Sequence, residues 1–455
     1  MQAVQVVLKF GGSSVAEVAH WQTIANQVQY HLSNGRRPLL VLSALKNVSN
    51  LLEALLHQAQ AGVHPIAITH LKELHFGFAS QLGLNLNQEL NHWFEQLELD
   101  CLIIYQAKMI RPKLHARILA MGELLSTTIG AEFLRGQGFN VVWQDAREIL
   151  KSTNHFDEWH HYTSAVCQYR HDPDISIKLN DKMDNNETTI VTQGFIASDS
   201  ANDTVLLGRE GSDTSAAYLA AILRADHLEI WTDVTGVFSA NPREISGARQ
   251  LAQLSYQQAL LMAKFGAKIL HPRVMRPMEE NQIPVTVRCT GQPDHPGTLI
   301  SNLSMPEVSA KAVVYESNVT QLVVNKSLSQ ERVKSISEQL TSQGFDSLLE
   351  CKIADQYHWV LSYSNSDKVQ PTDRELLNIF ADKRLLVATH CILITLLGEA
   401  SDQAWINNAI DLIDGQLQEN ILETYLSENH DRLSLLLKSE NTLMLCQRLH
   451  HELIE

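Results

Sequence analysis

The sequence has little positive charge: 36 Lys and Arg stand against 51 Asp and Glu, a formal net charge of −15 over 455 residues. A chain this acidic repels phosphate backbones and anionic lipid, which excludes nucleic acid and a membrane surface as the main partner. Any anionic ligand must then meet a local cationic pocket. Cysteines are few, and Cys101, Cys167, Cys289, Cys351, Cys391 and Cys446 show no CxxC or other ligand spacing. Reduced, mostly buried thiols are expected, and no metal site. No apolar run approaches the roughly 18 residues of a membrane span. MQAVQVVLKFGG has no basic region before its short apolar run and carries Lys9 and a glycine pair where a signal peptide needs apolar residues; a cytoplasmic location is expected. With 21 Gly, 12 Pro, 44% apolar and 19% charged residues, the composition is neither collagenous nor low-complexity. At roughly 150 residues per domain, the length allows about three.

Val4–Leu8 reads as a buried strand, GGSS breaks it, and Val15–Leu32 has apolar residues at helical spacing. Strands are expected again at Pro38–Leu42, Phe139–Trp143, Thr188–Thr192, Leu228–Thr232 and Ile283–Arg288. Helices over Gly122–Arg135, Ser212–Leu223 and Tyr256–Phe265 lie between them. This alternation defines an α/β fold with a mostly parallel sheet over residues 1–300. The polar, proline-containing stretch around Ser301–Ala310 reads as a linker, set at 301–312. Two passes of strand, helix, strand, strand, helix follow, which implies α+β modules at 313–383 and 384–455. In the first pass the strands are Gln321–Val324, Leu348–Ile353 and His358–Tyr363, with helices Gln330–Leu340 and Glu375–Phe380. The second has strands Leu385–Leu397, Glu419–Tyr425 and Arg432–Lys438, with helices Gln403–Ile413 and Asn441–Leu453.

Four clusters could carry chemistry. Lys9, Gly11, Gly12, Ser13 and Ser14 put a lysine at a strand end, glycines that admit an anion to backbone N–H groups, and hydroxyls at a helix start. They read as a phosphate-binding corner or as a capped tight turn. In LLGREGSD, Arg209 can grip a carboxylate with two parallel hydrogen bonds, while Gly211, Ser212 and Asp213 open a helix; an amino-acid pocket and a simple dipole-favouring aspartate both fit. WTDVTGVFSANPR follows a strand at the carboxyl end of the sheet, where α/β folds bind ligands. There Phe238 could cover a base and Arg243 its phosphates, beside Thr232 and Asp233, or the segment is an ordinary βα loop. FGAKILHP repeats a lysine, Lys268, next to Ile269; a second lysine would neutralise charge developing on a polyphosphate.

Together with VLSALKNVSNLL, AMGELLSTTIGAEFL, DAREIL, TQGFIA and PGTLI, these segments occur in the order found in the aspartokinases of the amino acid kinase fold, which the chain resembles over residues 1–300. DAREIL and TVLLGREGSD are most similar to the aspartokinase portion of bifunctional aspartokinase/homoserine dehydrogenases, and the tandem modules resemble paired ACT domains. The resemblance implies ATP- and Mg²⁺-dependent phosphorylation of the β-carboxylate of L-aspartate to 4-phospho-L-aspartate, the first step of lysine, threonine and methionine biosynthesis. It implies catalytic roles for Lys9, Lys268 and Arg209. It places Ser49, Glu123, Arg209, Gly211, Ser212 and Asp213 around aspartate, with Glu123 on its ammonium and Arg209 on a carboxylate. Lys9, Gly11, Gly12, Ser13, Thr232, Asp233, Phe238, Arg243, Lys268 and Ile269 would hold the nucleotide. A homodimer or higher oligomer through the ACT-like modules, and an amino-acid effector, are further implications. A carboxylate acceptor is ionised at pH 7 and needs no general base.

Four positions depart from the family pattern. Ser49 stands for threonine, Glu210 for a small or neutral residue, Phe238 for tyrosine and Asn241 for aspartate. The stretches VVNKSLSQERV and FDSLLECKIADQY differ from lysine-inhibited relatives, so a lysine pocket is not transferred. Two other readings stand beside the first: a related amino acid kinase with another carboxylate substrate, and a catalytically weak amino-acid-sensing subunit.

Overall fold

In the computed structural model, residues 4–153, 157–182, 188–267, 270–302, 310–324, 328–363, 385–398, 404–416, 421–438 and 442–454 are described. The chain divides into two units, the first comprising Met1–Val237, Ala252–Tyr256 and Leu270–Ser304, the second Phe238–Leu251, Gln257–Ile269 and Met305–Glu455.

The first unit is built on strands β1 (Val4–Phe10), β2 (Arg36–Leu42), β3 (Asn140–Gln144), β4 (Thr188–Gln193), β7 (His227–Thr232), β8 (Gln253–Ser255), β9 (Val285–Cys289) and β10 (Thr298–Ser301). They form one sheet in the order β3-β4-β2-β1-β7-β9-β10-β8. All pairings among β3, β4, β2, β1, β7 and β9 are parallel, and β10 runs antiparallel to β9. A small hairpin of β5 (Ile196–Ser198) and β6 (Thr204–Leu206) stands apart. The expected α/β fold is observed. Near-continuous apolar strands such as VVL and LLVL are what two covered faces demand. Strand order reverses direction in sequence on either side of β1, and such a switch point opens a crevice at the strands' carboxyl ends.

Helix Val18–Ser33 turns Trp21, Ile24, Ala25, Val28 and His31 inward at helical spacing. The single helix expected over Val15–Leu32 is two pieces, Gly12–Val15 and Val18–Ser33, because Glu17 is extended (φ −104°, ψ 122°). Helix Pro112–Gly136 is longer than expected and buried along most of its length, including Glu123. Helices His64–Gln81 and Asn87–Ala107 were not legible, since histidine, glutamine and asparagine dilute their apolar stripe.

In the second unit, β11 (Ala310–Val324), β12 (Phe345–Ile353), β13 (Gln356–Tyr363), β14 (Leu385–Gly398), β15 (Ile421–Leu426) and β16 (Arg432–Lys438) form one antiparallel sheet, ordered β12-β13-β11-β14-β16-β15. The two expected passes therefore share a sheet, joined by the long pair β11 and β14. Strand β11 begins at Ala310, well before the expected Gln321. Each pass has its own apolar cluster. One holds Ile394, Leu396, Trp405, Leu435 and Leu449, the other Leu322, Ile336, Leu340, Phe345 and Trp359. The expected helix Glu375–Phe380 lies outside the described residues. Phe238–Leu251 belongs here because Ser239 accepts the Val313 N–H on its carbonyl (2.7 Å), and its hydroxyl lies 2.8 Å from His450 Nε2. Gly266 has φ +120°, and a side chain there would run into the Tyr315 carbonyl, so the FGA sequence permits a backbone approach that only glycine allows.

Candidate active site

The carboxyl ends of β1, β2, β4 and β7 converge on one corner of the first unit. Lys9, the penultimate residue of β1, is buried, and its Nζ lies 2.6 Å from Asp213 Oδ1 in the first turn of helix Gly211–Leu223. Asp213 thus meets both a cation and the positive end of a helix. A Cβ on Gly11 would stand 3.2 Å from Lys9 Nζ, so the ammonium folds back over the turn. The Gly11 N–H donates to the Trp231 carbonyl (3.2 Å), and Ser14 Oγ donates to the same carbonyl (3.2 Å) while lying 2.6 Å from Thr290 Oγ1. The glycine turn is therefore tied to the ends of β7 and β9, and one of the two glycine N–H groups expected to face an anion is already used. Gly194, after β4, lets Ser212 close against the backbone; a Cβ there would stand 2.5 Å from Ser212 Oγ.

Across the corner, Ala44 follows β2. Its N–H donates to Glu123 Oε1 (3.2 Å), and its carbonyl would lie 3.0 Å from a Cβ on Gly12. Glu123 is 3% exposed, and its Oε2 has no hydrogen-bond partner among the described residues. Burial pushes its carboxyl up to about 8, against the Ala44 N–H that favours the charged form. A buried carboxyl with one unmet oxygen beside a strand end fits an incoming ammonium group.

Beneath β7 lies a second charged group. Glu229 accepts the Trp231 indole N–H (2.9 Å), His31 Nε2 lies 3.4 Å from it, and Arg288 lies 3.9 Å away. Burial acts to raise the Glu229 carboxyl, but the hydrogen bond from His31 and the charges of His31, Arg288 and His227 outweigh it and hold the group below the usual range. Arg288 covers the Trp231 ring at 4.6 Å, and that ring stacks on Phe10 at 5.7 Å. Glu229 thereby fixes the residue whose carbonyl anchors the glycine turn.

Lys9, Gly11, Gly12, Ser13, Glu123, Gly211, Ser212 and Asp213 share this corner. Ser49 is half-buried in the first turn of helix Val48–Ala61, on the segment following Ala44. Arg209 is exposed, just before helix Gly211–Leu223. The Thr232 hydroxyl donates to Asp233 Oδ1 (3.2 Å) at the end of β7. Phe238, which bridges to Gln250, and Arg243, whose N–H donates to Asn241 Oδ1 (3.1 Å), lie in the second unit. Lys268 and Ile269 lie outside the described residues. Sequence reading missed Ser14's partner Thr290, Ala44, Gly194 and Glu229. Only Glu229 had a signal, a carboxylate inside the apolar strand LEIWT.

The model of the amino acid kinase family matches residues 5–289, and the chain belongs to that family. Lysine-sensitive aspartokinase 3 of Escherichia coli (strain K12) is 31% identical over 322 residues, which cover 70% of this chain and 69% of that protein. Within the family the branch is therefore that of the aspartokinases. The crystal structure of E. coli aspartokinase III in complex with aspartate and ADP (R-state) matches with a TM-score of 0.83 at 27% identity, covering 99% of this chain and 100% of that one. A bifunctional aspartokinase/homoserine dehydrogenase of Arabidopsis thaliana is 33% identical over 309 residues, 65% of this chain, but the match spans only 32% of that protein's length. No helix among the described residues is long and apolar enough to cross a membrane.

Proposed function

We propose that the chain is an aspartate kinase, transferring the γ-phosphoryl group of MgATP to the β-carboxylate of L-aspartate to give 4-phospho-L-aspartate and ADP. The observation that carries this reading is the strand-end corner itself, where the Lys9–Asp213 pair and the unmet buried oxygen of Glu123 flank one glycine turn. The overall match to an aspartokinase that holds aspartate and ADP supports it.

The acceptor is a carboxylate, so no side chain has to remove a proton, and the work is alignment and charge neutralisation. Lys9 exchanges Asp213 for phosphate oxygens. Glu123 takes the substrate ammonium, Arg209 a carboxylate, and Ser49 and Ser212 add hydroxyl contacts. Gly11, Gly12 and Ser13 carry the turn against the phosphates. The family resemblance assigns nucleotide contacts to Thr232, Asp233, Phe238, Arg243, Lys268 and Ile269. Mg²⁺ would arrive with ATP as part of the substrate and would supply neutralisation of the phosphate charge.

In this reading residues 1–300 are the catalytic domain, and the linker expected at 301–312 is shortened to end where β11 begins at Ala310; the modules expected at 313–383 and 384–455 are ACT-like, join copies of the chain and take an amino-acid effector. The relative's lysine sensitivity makes lysine the first candidate to test. The protein acts in the cytoplasm in amino-acid biosynthesis. The deciding experiment is a hydroxamate assay with aspartate, ATP and Mg²⁺, repeated with lysine, threonine and methionine. Aspartyl hydroxamate that requires all three components is expected. ADP release with glutamate, acetylglutamate, carbamate or UMP but not aspartate, or no turnover at all, overturns the reading.

A further inference from the structure

Ser49, Glu123 and Arg209 stand on three separate elements, and one buried imidazole links those elements. His115 lies on helix Pro112–Gly136, about two turns before Glu123, and is 5% exposed. Its Nε2 lies 3.1 Å from each carboxylate oxygen of Glu53, so the ring N–H donates to a group that accepts on both oxygens. Glu53 belongs to helix Val48–Ala61, one turn after Ser49 and on the same face. The Nδ1 of His115 is buried without a hydrogen-bond partner, so among the described residues Glu53 is the ring's one polar tether. The ring also packs on Trp159, with centroids 5.1 Å apart. Trp159 is part of helix Glu158–Thr163, whose Thr163 carbonyl lies 3.4 Å from where a Cβ on Gly208 would stand, next to Arg209. That helix is itself fastened to the β5–β6 hairpin: the Ala165 N–H donates to the Leu206 carbonyl (2.8 Å), and His161 Nε2 lies 3.0 Å from Asp199 Oδ2.

Nearer the pocket the two long helices meet through apolar contact. A Cβ on Gly122 would stand 2.9 Å from the Ala44 Cβ and 3.3 Å from the Val48 and Leu52 side chains, and Gly122 shares a face with His115. Apolar contact is non-directional and by itself does not fix how one helix slides on the other. A hydrogen bond has a set length and direction, and the Glu53–His115 pair supplies one. We propose that His115 is a positioning residue for the acceptor, a step that rests on the aspartate kinase reading: through Glu53 it sets Ser49 against Glu123, and through Trp159 it backs the Gly208–Arg209 turn. Its loss misplaces the contacts to aspartate. Lys9 and the glycine turn keep their geometry, because Asp213 and the Trp231 carbonyl hold them independently.

Initial rates are measured for wild type, His115→Phe, Glu53→Ala, the double variant and His115→Gln, varying aspartate at saturating MgATP and MgATP at saturating aspartate. His115→Phe keeps a ring against Trp159 and removes the donor, Glu53→Ala removes the acceptor, and His115→Gln retains a donor. Each of the first two is expected to raise the KM for aspartate about 10-fold, with kcat and the KM for MgATP close to wild type. The double variant should be no worse than either single one, since both remove the same bond, and His115→Gln should recover most of the loss. A merely destabilised fold lowers the active fraction and hence kcat, without moving the KM for aspartate alone. An unchanged KM for aspartate, equal rises for aspartate and MgATP, or additive losses in the double variant overturn the proposal. Should His115→Phe not fold, Glu53→Ala, at a half-buried position, decides between the same outcomes. Wild-type protein that fails to phosphorylate aspartate overturns the kinase reading and this proposal together; wild-type turnover with unmoved variants overturns the proposal alone.

Discussion

The two sheets of this protein bury different kinds of polar group. Among the described residues, the first unit buries Lys9, Asp100, Glu123, Asp199, Asp213 and Glu229, all formally charged types. The buried polar residues of the second unit are Ser239, Thr320, His358, Thr395, Ser434 and His450. Ionised groups cost several kcal/mol to bury unless paired, whereas hydroxyls satisfy one another at little cost, as Thr395 and Ser434 do at 3.0 Å. The first unit tolerates its charges because they meet partners: Lys9 meets Asp213 at 2.6 Å, Asp100 meets Arg117 at 2.6 Å and Asp199 meets His161 at 3.0 Å. Among its described residues, the antiparallel sheet is assembled from backbone pairing and apolar clusters. The two cores thus differ in how their buried polar groups are satisfied, by ion pairing in the first and by hydroxyl and imidazole hydrogen bonds in the second.

The sharpest test of that contrast is Lys9→Ala. Removing the cation from the strand-end corner is expected to lower kcat by at least about 100-fold, with the circular dichroism of the folded protein retained. Near-normal turnover would show that the buried charges of the first unit are not its chemistry. Next in size is Glu123→Gln. Without the carboxylate, the KM for aspartate should rise about 30-fold, a loss of about 2 kcal/mol. The wild-type carboxyl, near 8 in the folded protein, must ionise to hold an ammonium, so aspartate affinity should improve as pH rises to about 8 and release a proton on binding. Calorimetry in buffers of different ionisation enthalpy reads that proton, and the Gln variant should lose it. The sign for stability is opposite: the folded state binds more protons between the ordinary carboxylate range and about 8, so this group's contribution fades as pH rises through that window.

Glu229→Ala moves stability before it moves chemistry. It leaves Arg288 and the Trp231 indole without their shared acceptor, at an expected cost of about 3 kcal/mol. In thermal unfolding that cost lowers Tm by roughly 6–12 °C. Because Glu229 is held low, its own contribution is present at neutral pH and lost as pH falls through the carboxylate range. The smallest effect is expected in the second sheet. Thr395→Val combined with Ser434→Ala removes both partners of one hydroxyl pair and should change stability by less than about 1 kcal/mol, leaving kcat and KM unchanged. A large kinetic effect there would erase the distinction between the two units.

Much of the first unit was legible because its strands are short apolar runs punctuated by glycine. KFGGSS, LLGREGSD and WTDV were readable as ligand-binding segments from residue type and order alone. What could not be read is which neighbours they meet. Glu123 is one polar residue in a long, apolar helix, and nothing local shows that its carboxyl reaches the Ala44 N–H across 79 positions. Nor does local pattern show that Gly11 spends its N–H on Trp231, or that Phe238 and Arg243 group with the second unit while Thr232 and Asp233 stay in the first. The two C-terminal passes were visible as a repeat, but their fusion into one sheet depends on β11 pairing with β14, some seventy residues on.

By itself the sequence determined the period of the elements, the acidic surface, the absence of long apolar spans and the small set of cations that an anionic ligand could meet. These are properties of residue type and spacing, which a chain carries before it folds. Tertiary structure alone decided that Lys9 is paired with Asp213, that Glu123 is driven toward its neutral form, and that Glu229 steadies the glycine turn. Those outcomes depend on distance and on exclusion of water, and both are set by contacts between residues far apart along the chain.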